Sequence, residues 1–377
     1  MTRRRPTALR PSHPLRSEPD APARPRRAPV IFMLAVGGFY LWWCFHVRGA
    51  LVTASEQFPM MGTVVTITVV APRPVDVNAL IEGARDEIDR IERLCSAYKP
   101  DSFVSRLNDR SGASPLHVTR EEWDILEILE EARMISKITD GAFDVTFASV
   151  GRFWDFDPAH PRLPTQEEIA GAIDKIDYRR VTTDRLTSTV LLAGEGTRIG
   201  LGGIAKGYAV DKAIAHLRAN GAYGALVNAG GDIYALGRKS KDEGSQAGSW
   251  RIALQHPRDK TRFMPGVRLE IEDAAVVTSG DYERSFVVDG KRYHHIIDPR
   301  TGMPATGLIS VTVVARTACF ADGLATAFFV MGAEKGLKLT ERLPGVEAIF
   351  VTDAEEIIIS SGIPKEVREV DLKSSGG

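Results

Sequence analysis

Residues 293–302, with the sequence Tyr-His-His-Ile-Ile-Asp-Pro-Arg-Thr-Gly, form a dense polar patch in the second half of the chain. Because a neutral imidazole is available near neutral pH, His295 is a candidate general base. Arg284 or Arg300 could hold a phosphate or a carboxylate. Residues 298–302 are equally typical of a β-turn between two hairpin strands. The patch alone therefore leaves a catalytic loop and a simple turn open.

The glycine-rich segment 200–209, Gly-Leu-Gly-Gly-Ile-Ala-Lys-Gly-Tyr-Ala, comes directly before a predicted helix. Glycine lets the backbone approach a ligand closely, and a helix start presents free N–H groups to an anion such as a phosphate. The segment fits neither the dinucleotide-binding glycine pattern nor a phosphate loop, because Lys206 lacks the required glycine spacing and the Ser or Thr that should follow it. A tight turn and a ligand loop are equally compatible with this pattern.

Asp322 and Thr326 lie four residues apart in an apolar helical segment and therefore share one face of the helix. A carboxylate and a hydroxyl at this spacing offer hard oxygen ligands that suit Mg²⁺. Alternatively, Asp322 caps the helix and Thr326 bonds back to its own backbone. The spacing alone favours this second interpretation.

These polar segments need elements to position them, and the apolar pattern predicts an α+β fold. Apolar residues at helical spacing predict helices over residues 77–94, 120–139, 205–220, 318–331 and 335–343. Alternating, β-branched runs predict strands over residues 63–70, 225–228, 250–255, 267–271, 274–278, 285–288, 308–314, 347–352 and 356–360. Strands grouped in hairpins with helices between the groups favour mixed, mainly antiparallel sheets with packed helices over a regularly alternating parallel sheet.

The composition is that of an ordinary globular protein. The chain has 377 residues, of which 44% are hydrophobic and 26% charged, and its formal net charge is -1. This balance gives no reason to expect nucleic acid as a partner, because that requires a concentrated basic surface. The three cysteines, Cys44, Cys95 and Cys319, are far apart, so neither a zinc site nor a disulfide framework is predicted.

The N-terminal residues differ in composition from the rest. Residues 1–28 are rich in Arg and Pro, which predicts a disordered basic arm, and residues 29–45 follow without a single charge. We therefore predict a transmembrane anchor or signal sequence over residues 29–48, and residues 52–54 leave cleavage open. The arginines orient the arm to the cytoplasm, which places the rest of the chain on the periplasmic side of the cell inner membrane. The globular domain is expected over residues 55–362, followed by a mobile tail over residues 363–377.

Eight sequence blocks occur in an order that resembles the ApbE family of FAD:protein FMN transferases, and they span roughly residues 55 to 355. The blocks are residues 61–63, 96–108, 141–146, 202–209, 228–232, 279–284, 294–302 and 321–326. One such block is weak, but eight in order are specific. The resemblance implies an ApbE or T-fold-like domain and a Mg²⁺-dependent enzyme. That enzyme would attach the FMN half of FAD to a Ser or Thr hydroxyl of an exported target flavoprotein and release AMP.

The resemblance also implies a role for individual residues. His295 would be the catalytic base, and Mg²⁺ would be held by Asp322, Thr326 and the backbone carbonyl of Gly203. FAD contacts would come from Met61, Tyr98, Ala142, Phe143, Asp144, Gly200, Lys206, Arg284 and Ile296.

The chain departs from the family pattern at Gly200, where members usually carry Asp, and at Ser285, where an aromatic residue is common. Two other functions stay open at this stage. One is hydrolysis of FAD to FMN and AMP. The other is a non-catalytic exported FAD-binding protein, for which the Gly200 departure is the main support.

Overall fold

The computed structural model describes residues 33, 36–38, 50–240 and 248–364. Its strands, in chain order, are β1 (Leu51–Met60), β2 (Thr63–Pro72), β3 (Leu116–His117), β4 (Val181–Asp184), β5 (Thr189–Leu192), β6 (Gly224–Ala229), β7 (Asp232–Gly237), β8 (Trp250–His256), β9 (Asp259–Ile271), β10 (Ala274–Gly280), β11 (Ser285–Val288), β12 (Lys291–His294), β13 (Leu308–Ala315), β14 (Glu347–Thr352) and β15 (Ile357–Ile359). The α-helices are α1 (Val77–Cys95), α2 (Phe103–Asp109), α3 (Asp124–Ile138), α4 (Ala148–Gly151), α5 (Gln166–Ala170), α6 (Ala205–Ala219), α7 (Ala318–Met331) and α8 (Ala333–Thr340).

An eight-stranded sheet organises the part of the chain from Ala50 onward. Its order is β1-β2-β6-β7-β10-β13-β14-β15, and every neighbouring pair runs antiparallel. Residues of β2 alternate between the two faces, as the period of a strand requires. Ile67 and Val69 join the main core with the helices, whereas Val70 joins a second core with the β8–β9 hairpin. The sheet is therefore covered on both faces.

Helices α1, α3, α6 and α7 pack on the first face through apolar stripes. Buried residues of the main core include Ile81 and Ile88 of α1, Ile128 of α3 and Phe328 of α7. Helix α6 carries the glycine-rich segment at its start and packs against both α1 and α7. The two helices that bear the candidate ligand residues are thus neighbours in the core.

A third, smaller core lies around the β11–β12 hairpin. The ring of Trp154 stacks on Phe156 at 5.6 Å, and the ring of Phe286 stacks on Tyr293 at the same separation. Trp154 also donates its indole N–H to the carbonyl of Gly302 at 3.1 Å. This core therefore holds both ends of the polar patch, through the packing of Tyr293 and the hydrogen bond to Gly302.

The structure confirms the predicted α+β fold with antiparallel sheets. Helix α7 and strands β11 and β14 have the predicted bounds, and helix α1 differs by one residue. Strands β1, β7 and β12, helix α2 and the small sheet β3-β5-β4 were not predicted. Strand β1 begins at Leu51, and Ile363 is buried, so ordered packing extends to residues just outside the expected 55–362 domain.

The predicted N-terminal features fall mainly outside the described residues. Those features are the basic arm over residues 1–28 and the anchor over residues 29–48, of which only positions 33 and 36–38 are described. Most of the predicted tail also lies outside. Within the part of the chain that the structure describes, no helix has both the length and the apolar character needed to cross a membrane.

Candidate active site

The glycine-rich loop before α6 is fixed by hydrogen bonds from two distant segments. The Asn108 side chain brackets Ile199, because its Nδ2 donates to the Ile199 carbonyl at 3.0 Å and its Oδ1 accepts from the Ile199 N–H at 2.7 Å. The N–H of Gly200 donates to the carbonyl of Val145 at 2.8 Å. The loop therefore lies beside residues 142–144, which were predicted to contact the same ligand.

Gly200 itself packs against a neighbouring helix. A Cβ atom at this position would lie 3.2 Å from both the Ala148 Cβ and the Phe147 ring. That distance is tighter than ordinary van der Waals contact, so a larger side chain would require these neighbours to shift. Glycine at position 200, where family members usually carry Asp, is thus consistent with the close packing of Phe147 and Ala148.

Gly203 and Thr326, two of the three predicted metal ligands, meet in the structure. A Cβ atom on Gly203 would lie 2.9 Å from Oγ1 of Thr326 and 3.4 Å from the ring of Phe143. Thr326 is partly exposed, whereas the other residues from 321 to 330 are buried. The hydroxyl therefore faces the glycine loop at the one open position in this stretch of α7.

Asp322 connects the two helices directly. In a regular helix the N–H of Gly207 would donate to the carbonyl of Gly203. Here it donates to Oδ2 of Asp322 at 3.2 Å, which leaves the Gly203 carbonyl without that partner. The interpretation of Asp322 as a helix cap is wrong, because α7 is capped by Thr317, whose side chain accepts from the Phe320 N–H.

Lys206 and two buried carboxylates form the charged centre of the site. The Lys206 ammonium lies 2.7 Å from Oδ2 of Asp232, which is 1% exposed. Burial lowers the pKa of Lys206, but the carboxylates of Asp232 and Asp322 outweigh it and raise that pKa overall. Burial and the nearby Asp232 carboxylate raise the pKa of Asp322 well above its usual value. One cation thus compensates two carboxylates that repel each other.

The residues present fit a hard divalent cation. Oδ1 of Asp232 is buried without a hydrogen-bond partner. Together with Asp322, the Thr326 hydroxyl and the released Gly203 carbonyl, it supplies the oxygen donors that Mg²⁺ prefers. Within the described ranges no three His, Cys, Asp or Glu side chains gather as a metal cluster. A metal here would therefore depend on the hydroxyl and carbonyl oxygens as well as on the carboxylates.

His295 follows strand β12 and is held by its backbone. Its N–H donates to the carbonyl of Arg284 at 3.1 Å, and its Nδ1 is enclosed without a hydrogen-bond partner. Burial, followed by the nearby His294, Arg284 and Lys206, lowers the pKa of His295 to about 3. The imidazole is therefore neutral at physiological pH, which is the form that a general base requires.

His294 has a structural role. Its Nε2 lies 2.9 Å from the carbonyl of Ala305, and its Nδ1 accepts from the N–H of Ile296 at 3.3 Å. This pairing assigns the proton to Nε2, and burial lowers the pKa of the ring. The ring also packs edge-on against Phe329 of α7. His294 thus fixes the loop that carries His295 and Ile296.

Residues 298–302 form the predicted turn, but it does not join two hairpin strands, because the flanking strands β12 and β13 lie in different sheets. The carbonyl of Asp298 accepts from the N–H groups of Thr301 and Gly302 at 3.1 and 2.8 Å. Arg300 is engaged by the Asp298 carboxylate at 2.8 and 2.9 Å. The turn and the candidate base therefore occupy different parts of the patch. Because Arg300 is already paired with Asp298, Arg284 is the better candidate to bind an anion.

Arg284 lines an open cleft of about 560 Å³. The cleft is lined by Phe156, Asp157, Pro158, Tyr282, Glu283, Arg284 and Ser285. Ser285 pairs with His294 in the β11–β12 hairpin, and the Arg284 carbonyl bonds to His295. Backbone pairing thus ties the wall of the cleft to the loop that carries His295, which is not itself one of the lining residues.

Other predicted FAD contacts have more varied surroundings. Met61 adopts a positive φ of 53° in the β1–β2 turn, and its N–H donates to Glu92 at 2.8 Å. Tyr98 is 82% exposed, and Ile296 is buried. The carboxylate of Asp144 accepts from the Thr146 N–H and Oγ1 and from the Tyr178 N–H, so it already joins two loops.

Two important residues were not proposed from the sequence as site residues. Asp232 ends the sequence block of residues 228–232, but its partner Lys206 is 26 positions away. The Asn228 side chain accepts from the Gly231 N–H at 2.9 Å and so shapes the turn before Asp232. Asn108 is a second omission, since its partner is 91 positions away. In the sequence, Asp232 is marked only by its position directly after the glycine pair of residues 230 and 231.

Comparison with known proteins decides the family. The sequence profile of the ApbE family matches residues 61–350. The chain belongs to the ApbE family. A relative named FAD:protein FMN transferase, from Treponema pallidum (strain Nichols), is 36% identical over 324 residues, which cover 83% of this chain and 88% of that protein. Another of the same name, from Klebsiella pneumoniae (strain 342), is 33% identical over 298 residues, covering 79% and 89%.

Solved ApbE structures share the fold. The ApbE protein of Thermotoga maritima aligns with a TM-score of 0.72 and 33% identity, covering 84% of this chain and 100% of that one. The flavin transferase ApbE from Vibrio cholerae aligns with a TM-score of 0.70 and 30% identity, covering 83% and 98%. The ApbE membership predicted from eight ordered blocks is confirmed.

Proposed function

We propose that this ApbE protein transfers the FMN moiety of FAD to a Ser or Thr hydroxyl of a target protein, in a Mg²⁺-dependent reaction that releases AMP. The observation that carries the proposal is the cluster of oxygen donors where helix α6 meets helix α7: Asp322 accepts from the Gly207 N–H, Gly203 lies against the Thr326 hydroxyl, and Asp232 holds Lys206 at 2.7 Å. The charges of Lys206 and Arg284 act on His295, whose pKa they lower. A base, an anion-binding pair and a set of hard oxygen donors are what transfer from a diphosphate requires. The relatives named FAD:protein FMN transferase support the same chemistry.

The reaction exchanges one phosphorus–oxygen bond for another. The hydroxyl oxygen of the target bonds to the phosphorus of the FMN half, and the anhydride bond to the AMP phosphate breaks. The hydroxyl proton passes to His295, and AMP leaves with the bridging oxygen. A hydroxyl is a weak nucleophile at its free pKa, so a positioned base contributes about 10²- to 10⁴-fold.

Lys206 and Arg284 are the groups that would hold the diphosphate. The Lys206 ammonium is fixed by Asp232 at 2.7 Å, and the exposed Arg284 lines the cleft. The start of α6 adds positive potential from the helix dipole. Negative charge bound here would offset the two cations that depress the His295 pKa, and so strengthen the base when substrate is present.

Mg²⁺ would be held by Asp322, Thr326 and the Gly203 carbonyl, with Asp232 close by. When bound, such a cation neutralises negative charge on phosphoryl oxygens. The protein itself supplies the orientation, because the Gly207 N–H and the α6–α7 contact fix the Asp322 carboxylate. His294 fixes the loop that carries the candidate base.

The remaining FAD contacts are proposed from the family resemblance. They are Met61, Tyr98, Ala142, Phe143, Asp144, Gly200 and Ile296. The close approach of Phe143 to the Gly203–Thr326 pair supports its inclusion. The target is expected to be an exported flavoprotein, and residues 1–28 and 29–45 support membrane tethering by their charge and apolar pattern. Reporter fusions to the N-terminal residues test that location.

Hydrolysis of FAD to FMN and AMP is a second candidate, because Glu283 and Arg284 of the cleft wall are exposed and water could replace the target hydroxyl. The two reactions are separated by incubating the protein with Mg²⁺, FAD and a target protein and recording the intact mass of the target. Transfer adds one FMN to the target with equimolar AMP. Hydrolysis releases free FMN and AMP and leaves the target mass unchanged.

A further inference from the structure

Asp211, in the middle of helix α6, holds the start of helix α7. Its Oδ1 accepts from the N–H of Ala318 and its Oδ2 from the N–H of Cys319, both at 2.8 Å. These two amides belong to the first turn of α7, where N–H groups lack partners within the helix. Asp211 is partly buried and lies on a different helix from the amides that it caps. A residue of one helix therefore sets the position of the other.

Asp322 makes the reciprocal contact. It belongs to α7, and its Oδ2 accepts from the N–H of Gly207 in the first turn of α6. Gly207 permits this approach because a Cβ atom there would lie 2.2 Å from the carbonyl oxygen of Ala318. Each helix thus provides a carboxylate for the first-turn amides of the other, across a backbone contact that only glycine allows.

The two helices carry the candidate active site. Gly203 lies just before α6 and Lys206 in its first turn, whereas Asp322 and Thr326 lie in the middle turns of α7. The proposed donors for a cation therefore come from both sides of the α6–α7 contact, with the Gly203 carbonyl just before α6 and the Asp322 and Thr326 oxygens on α7. Their spacing depends on how the two helices are fixed together. Of the two carboxylates that join α6 to α7, Asp322 is a proposed metal ligand and Asp211 is not.

We propose that Asp211 is a positioning residue that sets the spacing between the ligand groups of α6 and those of α7. The proposal rests on the proposed function of this site as a Mg²⁺ and FAD centre. Residues that orient metal ligands without touching the metal change its affinity or the activity by about 10- to 100-fold when replaced. A residue that merely stabilised the fold would lower thermal stability and leave metal binding intact.

The test compares Asp211→Ala and Asp211→Asn with a matched control, Asp76→Ala. Asp76 caps α1 by accepting from the N–H groups of Asn78 and Ala79 at 3.0 and 3.3 Å, so its removal also costs two backbone contacts. Asp76 is outside the proposed site. Each variant is measured for melting temperature, for Mg²⁺ binding by calorimetry, and for kcat and KM with FAD.

We expect Asp211→Ala to weaken Mg²⁺ binding by at least about 10-fold and to lower kcat by a similar factor. The KM for FAD should change less than kcat, because Arg284 and the cleft are untouched. Asp211→Asn keeps one acceptor oxygen and should be intermediate. Asp76→Ala should lose thermal stability and keep wild-type Mg²⁺ binding.

Wild-type Mg²⁺ binding and kcat in folded Asp211→Ala would overturn the proposal. If that variant does not fold, the same result in Asp211→Asn overturns it. Calorimetry keeps the test separate from the reaction, because Mg²⁺ binding can be measured even if the wild-type protein transfers no flavin. Absence of Mg²⁺ binding in the wild-type protein would overturn both this proposal and the metal part of the proposed function.

Discussion

The ammonium of Lys206 lies 2.7 Å from Oδ2 of Asp232, and this ion pair joins the start of helix α6 to the start of strand β7. The second oxygen of Asp232 has no protein partner, although it is buried. Asp322 lies close enough for its pKa to be raised by the Asp232 carboxylate, after the effect of burial. Lys206 therefore pairs with only one of the two carboxylates. The Asp322 carboxyl and Oδ1 of Asp232 remain available where the family resemblance predicts a cation.

Replacing Lys206 tests this charge arrangement. Lys206→Met should lower the free energy of unfolding by about 3 kcal/mol, because removing one partner leaves a buried carboxylate uncompensated beside a second one. The double variant Lys206→Met/Asp232→Asn should recover part of that loss. Urea unfolding measures both, with the exposed Lys338→Met as control, expected within about 0.5 kcal/mol of wild type. A Lys206→Met variant as stable as this control would contradict the account.

Asp322→Asn separates function from stability. We expect transfer to fall by about 10²-fold or more, since a charged oxygen donor is lost from the proposed metal site. The melting temperature should be retained or rise, because the substitution removes repulsion between two buried carboxylates. The exposed Asp86→Asn serves as the control. Full activity in Asp322→Asn would remove this residue from the metal site.

The glycine loop offers a matched pair of substitutions. Gly203→Ala should weaken Mg²⁺ binding and reduce transfer by about 10-fold or more, because its Cβ would lie 2.9 Å from the Thr326 hydroxyl. Gly202→Ala should be close to wild type, since a Cβ there meets nothing within 4 Å. Calorimetric Mg²⁺ titration and transfer assays compare the two. Equal effects at both positions would mean that the Gly203–Thr326 contact has no functional role.

The low pKa of His295 predicts how activity and stability depend on pH. With a pKa of about 3, the free protein keeps a neutral imidazole as the pH falls through 6.5, so kcat/KM should show no acid limb from a free histidine near that value. Between the unfolded pKa of about 6.5 and the folded value, the unfolded chain binds the extra proton, so stability is lost as pH falls.

His295→Gln should therefore flatten the stability profile between about pH 6.5 and 3. Denaturant unfolding across this range measures the difference, and a variant whose profile parallels that of wild type would contradict the burial of a neutral imidazole. A proton NMR titration of the His295 ring provides a direct check. Its pKa should rise when FAD is bound, because the diphosphate offsets Arg284 and Lys206.

Much of the fold could be predicted from local pattern. Helix α7 is apolar on nearly every face and is bounded by a Thr cap and a glycine, which is why its bounds were predicted correctly. Strand β1 was missed because its residues are mostly exposed or half-exposed and show no clean alternation. Strand β7 was missed because it follows β6 after only the glycine pair of residues 230 and 231.

The site was harder to predict because its contacts join distant parts of the chain. Spacing alone favoured a capping role for Asp322, and only the packing of α7 against α6 shows its bond to Gly207. The contact between Asp211 and Ala318 spans 107 positions and has no local signal. The family resemblance identified most of the candidate site residues. The electrostatic interactions among them, such as the Lys206–Asp232 ion pair, depend on contacts that only the packed structure shows.

Covalent flavin transfer is tested most directly by the intact mass of a target protein. The chain is co-expressed, with Mg²⁺ and FAD present, with exported flavoproteins of electron-transfer complexes and flavin-dependent reductases. We expect a target heavier by one FMN on a Ser or Thr and equimolar AMP. We also expect His295→Ala to abolish the modification while FAD still binds. Unchanged modification with His295→Ala, or FAD turnover to FMN and AMP with no covalent flavin on any target, would contradict covalent flavin transfer with His295 as the base.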